Sequence, residues 1–419
     1  APLKAYYRPP NPGSMLSRVY EAIDRQGDFI VSLYREFIPI RAIGPENGGE
    51  GEYERAKKLK EIMERYFDEV REIDAPDERV PSKVRPNLIG TIRGRDRGRT
   101  FWIVAHMDTV PEGDRSLWKY DPFSVTVDGD YVYGRGVEDD GQAIVLGIAL
   151  AKVIRELGVT PKYDFSLLVS ADEETGSKYG LAYLLRNHNP FREGDIIVVP
   201  DAGDPTGSQI EVAEKSVLWL KFTVVGRQAH ASTPEKGVNA HYLAMLLGVT
   251  LYEELHRKYN LRDEKFAPPV STFEVTKVEK NVENVNTIPG RHTFYMDCRL
   301  LPQYSVDEVL ETIKEIVRRF EAERGCRVEL EVVNREDSTR PTDEGSEAVR
   351  LLKEAIREVK GVEARTIGIG GGTYAKYLRA MGLNPVVWMT CDETAHEPNE
   401  HVRISYILSD LKVLARILL

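Results

Sequence analysis

Phe101–Asp108 reads FWIVAHMD. A strand apolar on both faces belongs in a parallel sheet covered by helices, and this one ends in His106 and Asp108. Three other stretches share the form: FSLLVSADEE at Phe165–Glu174, DIIVVPDAG at Asp195–Gly203 and PVVWMT at Pro385–Thr390. Helical stretches, such as Ala143–Leu157 and Lys178–Leu185, separate several of them. Alternating strands and helices predict an α/β fold with a mostly parallel sheet covered by helices. Ligands of open α/β sheets bind beyond the carboxyl ends of the strands. The acids and histidines of this chain gather at those ends.

Two apolar patterns of helical period precede that core. One runs through Val19, Ile23, Ile30, Leu33 and Phe37, the other through Leu59, Ile62, Met63 and Tyr66. The middle of the chain changes character. Val217–Val225 reads as a strand, His241–His256 as a helix, and Ser271–Val278 and Arg291–Leu300 as strands. Val306–Phe320 is an amphipathic helix and Cys326–Val333 a last strand. The order β-α-β-β-α-β is the ferredoxin-like unit. It predicts an inserted α+β domain at 214–336, within a catalytic domain made of 15–213 and 337–419. Residues 1–14 are Pro-rich and end in Gly13-Ser14 before Met15. They are expected to be a cloning remnant, with Met15 as the natural start.

The 419 residues carry a net charge of −10, which excludes a basic nucleic-acid footprint. No apolar run is long enough for a membrane span, and no secretory leader is visible. Cys298, Cys326 and Cys391 lie far apart, so neither a disulfide framework nor a zinc-thiolate site is expected. A reducing, cytoplasmic setting fits. Charged residues make up 30% of the chain, an excess of the kind that heat-adapted proteins show, so a thermostable protein is expected.

The chemistry sits in short polar segments. His106 and Asp108 alternate along their strand and share a side. A ligating histidine hands its other ring N–H to a carboxylate, which makes Asp108 an orienting group. GRGVEDDGQ at Gly134–Gln142 sets Asp139 and Asp140 between a Gly-rich turn and an apolar helix. An Asp there is either a helix cap or a carboxylate bridging two cations, and this segment alone leaves both open. SADEETGS at Ser170–Ser177 brings Glu173 and Glu174 together. Packed carboxylates repel unless protonated, solvated or bound to cations. Adjacent glutamates also offer two roles, one holding metal and one handling protons. VVPDAGD adds Asp201 and TAHEPNE adds His396. Two histidines and three carboxylates suit zinc or a similar divalent ion. A bridging carboxylate with two further ligands per ion describes a two-metal site.

Taken in order, HMDTVPEGD, YGRGVEDDG, DEETGS, VPDAG, GRQAHAS, NTIPG and TAHEPNE resemble the motifs of the dinuclear-metal M20 peptidase family. That family includes peptidase V, carnosinase, acetylornithine deacetylase, succinyl-diaminopimelate desuccinylase, carboxypeptidase G and aminoacylase. The resemblance covers nearly all of 15–419. It implies metal-dependent hydrolysis of amide bonds, in small peptides or N-acyl amino acids. It implies two divalent ions, zinc first, with cobalt or manganese as alternatives. By resemblance, His106 and Asp201 hold one ion, Glu174 and His396 the other, and Asp139 bridges. Glu173 is the general base, Asp108 orients His106, and His230 stabilises the oxyanion. Asn286, Arg299 and the loop Gly371-Gly372-Thr373 contact substrate. The inserted domain is a lid that pairs in a homodimer.

Two departures from the family pattern stand out. Gly141-Gln142 replace the usual Lys-Gly after the paired acids, and GGTYA at Gly371–Ala375 replaces the usual Gly-Thr-Ser-Asp loop. Asp201 stands where acylase-like relatives usually carry Glu and dipeptidases usually carry Asp. This favours a peptidase acting on short peptides with free N-termini over an N-acyl amino acid deacylase. A non-catalytic binding relative is a remote third reading, since no ligand and no base is missing.

Overall fold

Asp96–His106, Tyr163–Ser170 and Ile196–Val199, all buried along most of their length, lie side by side and parallel, as their apolar runs require. In the computed structural model, which describes residues 7–419, Val386–Val387 extends this parallel group beyond Ile196–Val199. Four further strands complete an eight-stranded sheet: Val84–Ile92 and Glu69–Pro76 pair antiparallel on one side, and on the other Gln209–Glu214 pairs antiparallel with Val386–Val387 and has Arg365–Ile369 beyond it. Helices flank it, with Gly141–Leu157 packed on the His106 strand, Tyr53–Glu64 on Val84–Ile92 and Glu347–Lys360 on Ile196–Val199. The fold is the expected mixed α/β class, a large and mostly parallel sheet between helices. Gly141–Leu157 is buried almost all round and stops where Gly158 takes a left-handed φ of 62°. Among the described residues no helix is long and apolar enough to cross a membrane, and the three cysteines are free thiols.

Some local expectations shift. The pattern from Val19 to Phe37 is two helices, Met15–Asp24 and Gly27–Phe37, broken at Arg25-Gln26. Only Val386–Val387 of Pro385–Thr390 is strand, and the helix expected from Lys178 begins at Leu181. Of the remnant expected at 1–14, residues 1–6 lie outside the described residues. Ser14 caps the first helix by accepting the Ser17 N–H at 3.1 Å, and the Arg8 N–H donates to the Glu358 carbonyl at 3.0 Å.

The chain parts into two compact units. One takes the chain up to Val212, with Thr342–Thr366 and Tyr377–Leu419; the other takes Ala213–Pro341 and Ile367–Lys376. The second unit holds a four-stranded antiparallel sheet in the order Thr272–Val278, Arg291–Leu300, Ser216–Val225, Arg327–Glu336. The helices Ala240–Lys258 and Val306–Arg324 share its core through Leu247, Leu251, Ile313 and Phe320, packed with Leu218, Leu220 and Phe222. This is the β-α-β-β-α-β order read from sequence. The unit also takes 337–341 and 367–376, which the sequence reading left with the catalytic part. Hydrogen bonds explain the transfer of the second segment. Lys215 N–H donates to the Ile369 carbonyl at 3.0 Å, and Gly368 N–H to that of Lys265 at 2.8 Å.

Candidate metal centre

Strand ends deliver the first donors. His106 closes Asp96–His106 and is fully buried. Its Nδ1 lies 2.9 Å from the Asp108 carbonyl and 3.2 Å from Asp108 Oδ1, which turns Nε2 inward. The Asp108 carboxylate does more than orient the ring: it accepts the Glu173 N–H at 3.0 Å and the Glu174 N–H at 2.9 Å. Those glutamates open a short turn, Glu173–Thr175, after Asp172 at a left-handed φ of 63°. Asp201 follows Ile196–Val199, and the loop behind it runs so close to Met389 that a Cβ on Gly203 would sit 1.8 Å from the Met389 carbonyl oxygen. Asp139 precedes the helix Gly141–Leu157, and His396 stands in the loop between Thr390 and His401.

These side chains converge. His106 Nε2 is 3.0 Å from Asp139 Oδ1, 3.4 Å from Asp201 Oδ1 and 3.4 Å from Glu173 Oε2. His396 Nε2 is 2.8 Å from Asp139 Oδ2 and 3.1 Å from Glu174 Oε2. Asp139 therefore offers one oxygen to each histidine. Three triads bring donor atoms within 4.8 Å of one another: His106–Asp139–Asp201, Asp139–Glu174–His396 and His106–Glu173–Glu174. The first two bring together the residues of the two ion sites expected from sequence; the third brings in Glu173.

The charges disturb one another strongly. Burial holds Glu173 and Glu174 well above the usual carboxylate range and lifts Asp201 to about 6. Burial would also raise Asp139, but hydrogen bonds from His106 and His396 hold it well below its usual value. Burial opposes a charged His106, yet Glu173, Asp108, Asp139 and Asp201 outweigh it and hold the imidazole well above its usual value. Asp139 and Glu174 push His396 up to about 11. Carboxylate oxygens and imidazole edges facing one another at these distances fit divalent cations by number and by type.

A buried framework supports the donors, and the sequence reading missed it. Arg55 is enclosed and donates to the carbonyls of Met107, Ile40 and Ile38 at 2.8, 2.7 and 3.1 Å. Arg85, equally buried, pairs with Glu52 at 2.6 Å, Asp77 at 3.0 Å and Asp172 at 3.4 Å. Glu138 and Glu400 bind the loops of His396 and Asp139. The last two stand inside quoted motifs, and an acid beside each ligand was the available signal. The departure at Gly141-Gln142 has a steric reason. A Cβ at 141 would lie 2.5 Å from the Gly136 carbonyl oxygen, while Gln142 donates to the Thr390 carbonyl at 2.8 Å.

The remaining expected site residues lie in the second unit, in two groups. His230 pairs with Thr287 in a two-stranded ribbon, and the Ala231 N–H donates to the Asn286 carbonyl at 2.9 Å, so His230 and Asn286 are neighbours. His230 is exposed, with Nδ1 2.8 Å from Ser232 Oγ. Arg299 donates to Asp297 at 2.7 and 3.1 Å and to the Gly370 carbonyl at 3.1 Å, which sets it beside Gly371-Gly372-Thr373. Thr373 Oγ1 donates to Glu214 at 2.5 Å. Within the altered loop Tyr374 is buried and Ala375 opens a short helix.

The sequence description of peptidase family M20/M25/M40 matches residues 102–419. An uncharacterized metallohydrolase of Methanocaldococcus jannaschii is 40% identical, over 93% of this chain and 98% of its own length. A succinyl-diaminopimelate desuccinylase of Nitratiruptor sp. is 23% identical, over 88% of this chain and 94% of its own. Among solved structures, human carnosine dipeptidase 1 has the same fold with a TM-score of 0.71 at 18% identity, covering 97% of this chain and 98% of that one.

Proposed function

Because the chain belongs to peptidase family M20/M25/M40, whose members are metal-dependent hydrolases, we propose that it cleaves amide bonds in small substrates, first among them short peptides with free N-termini. One observation carries the reading: Asp139 sets one oxygen beside His106 and the other beside His396, with the Glu173 carboxylate next to both His106 and Glu174. His106 and Asp201 would hold one cation, Glu174 and His396 the other, and Asp139 both. Two imidazoles and three carboxylates suit zinc, with cobalt or manganese as alternatives. When bound, the cations supply positive charge that acidifies water and polarises a scissile carbonyl.

The chain's own groups do the rest. Glu173 takes the proton of the attacking water and returns it to the leaving nitrogen, a task that its raised proton affinity suits. Asp108 fixes the Glu173–Glu174 turn through its two backbone hydrogen bonds. His230 donates to the oxyanion, and Asn286, Arg299 and Gly371–Thr373 orient the substrate. These last assignments rest on the family resemblance.

Asp201 supports the peptidase branch, and so does the fold shared with a carnosine dipeptidase. Likeness over 88% of the chain to a protein named succinyl-diaminopimelate desuccinylase supports the second reading, an N-acyl amino acid deacylase. Comparing a dipeptide series with matched N-acetyl and N-succinyl amino acids, under added zinc, cobalt or manganese, separates the two. Higher kcat/KM on the acylated compounds overturns the peptidase reading. No turnover of either class overturns both readings.

We also propose a homodimer formed through the second unit. Tyr242, Met245, Val249 and Tyr252 on one helix, with Val275 and Val278 on the edge strand Thr272–Val278, are 41–59% exposed. All but Tyr242 line a groove of about 720 Å³. A contiguous apolar face beside an unpaired strand edge is a docking surface. Sedimentation that returns a monomer at micromolar concentration would remove this proposal.

A further inference from the structure

Two buried carboxylates outside the donor set cross between the loops that carry Asp139 and His396. Glu138 is chain neighbour to Asp139 but turns to the other loop. Its Oε1 accepts the Thr394 N–H at 3.0 Å and the Thr394 hydroxyl at 3.1 Å, and its Oε2 accepts the Ala395 N–H at 3.0 Å. Glu400 lies four residues beyond His396 and reaches back. Its Oε1 accepts the Gly136 N–H at 3.0 Å and an Arg135 guanidinium N–H at 2.8 Å. Its Oε2 accepts the N–H groups of Glu138 and Asp139, each at 2.9 Å. Glu138 is 2% exposed and Glu400 fully buried. Each loop thus holds the other's backbone.

We propose that Glu138 and Glu400 are positioning residues, a reciprocal clamp that sets the two halves of the second cation site against each other. The proposal rests on the two-cation reading above. His106 and Asp201 need no such device, because sheet strands end at His106 and two residues before Asp201. His396 sits in an irregular loop in which Glu393, His396 and Asn399 all take left-handed φ values, 61°, 65° and 62°. For residues other than glycine that conformation persists only where partners enforce it. The partners immediately before His396 are Thr394 and Ala395, both held by Glu138. The two acids therefore have different reach. Glu138 governs the His396 side alone, whereas Glu400 governs Asp139, which faces both histidines.

Substitution by Gln keeps the shape of either side chain but turns one acceptor oxygen into an amino group facing N–H donors. Cobalt(II) titration of the full chain, stripped of metal by a chelator and followed by visible absorption, reads both sites. Thermal unfolding of the same samples reports the fold. Glu138→Gln is expected to weaken the second cation by about 10–100-fold, the usual loss when a group supporting a ligand is removed, with the first unchanged. Glu400→Gln is expected to weaken both. Thr394→Val removes one donor to Glu138, together with the hydroxyl's contacts to the His401 carbonyl at 3.1 Å and N–H at 3.0 Å, without touching either acid. It weakens the second cation in the same selective way by a smaller factor, and His401→Ala, which leaves Glu138 and its donors in place, leaves both cations unchanged. If Glu138→Gln does not fold, Thr394→Val decides: selective loss supports the clamp and unchanged binding overturns it. Equal weakening of both cations by Glu138→Gln, or none, also overturns it. If the unsubstituted chain binds fewer than two cations, the two-cation reading fails and the clamp falls with it.

Discussion

Glu173→Gln tests whether the acid beside the candidate metal centre moves protons or holds metal. The geometry admits both roles, since Glu173 stands in one donor triad with His106 and Glu174 while the other two triads do without it. The amide has the same size, and the backbone at 173 remains tied to Asp108 Oδ1 at 3.0 Å. The donors at 3.0 and 3.4 Å from His106, and at 2.8 and 3.1 Å from His396, are untouched. Both cations should therefore stay. What disappears is a carboxylate able to accept a proton, a contribution of about 10²–10⁴ in rate, or about 2.7–5.4 kcal/mol of barrier. Elemental analysis and dipeptide turnover on one preparation give the two numbers together. Two equivalents of metal with kcat lowered by at least about a hundredfold is the expected result. Loss of metal in step with activity would refute the reasoning and move Glu173 into the ligand set. Glu174→Gln is the control, and it should lose metal as well as rate.

The other predictions concern stability and the second unit. In metal-free protein Glu173, Glu174, Asp201, His106 and His396 all keep their protons to higher pH than in the unfolded chain, Asp201 to about 6 and His396 to about 11. The native state then binds more protons, so the stability of chelated protein should fall as pH rises from about 5 to about 9. Asp139 has the opposite sign, but its window lies below 3.8. Saturating zinc should remove most of that slope, and a Tm of the chelated protein that stays level or rises with pH contradicts the assignment. His230→Ala should lower kcat with both cations retained; an unchanged rate removes its oxyanion role.

The parallel centre was legible because strands buried on both faces leave unbroken apolar runs, and the second unit because its periods alternate cleanly. The margins were not. Glu69–Pro76 exposes charged side chains along most of its length, and Val84–Ile92 contains Pro86, Asn87 and Gly90, which break a strand pattern. Two of these interruptions have a tertiary cause. Asn87 exchanges hydrogen bonds with the Tyr179 carbonyl at 3.0 Å and the Ala171 N–H at 2.8 Å. At Gly90 a Cβ would come within 2.8 Å of the Phe67 ring. At the candidate centre the donors stood in readable motifs, but their supports did not. Glu138 meets Thr394 across 256 positions and Glu400 meets Asp139 across 261, a distance over which local pattern says nothing.

Arg55 gives this separation a broader meaning. The family match begins at residue 102, and every donor atom lies after that point. Asp108, Glu138 and Glu400 support the donors from within the matched region, but further supports lie before it. Arg55 grips the Met107 carbonyl, the Ala42 carbonyl receives the Thr109 N–H at 2.9 Å, and Arg85 reaches Asp172. The inventory of reactive groups and part of the mould that shapes them thus have different addresses in one chain. A lineage can keep the first unaltered and still retune how tightly its cations are held, by drifting in the hundred residues that carry no chemistry of their own.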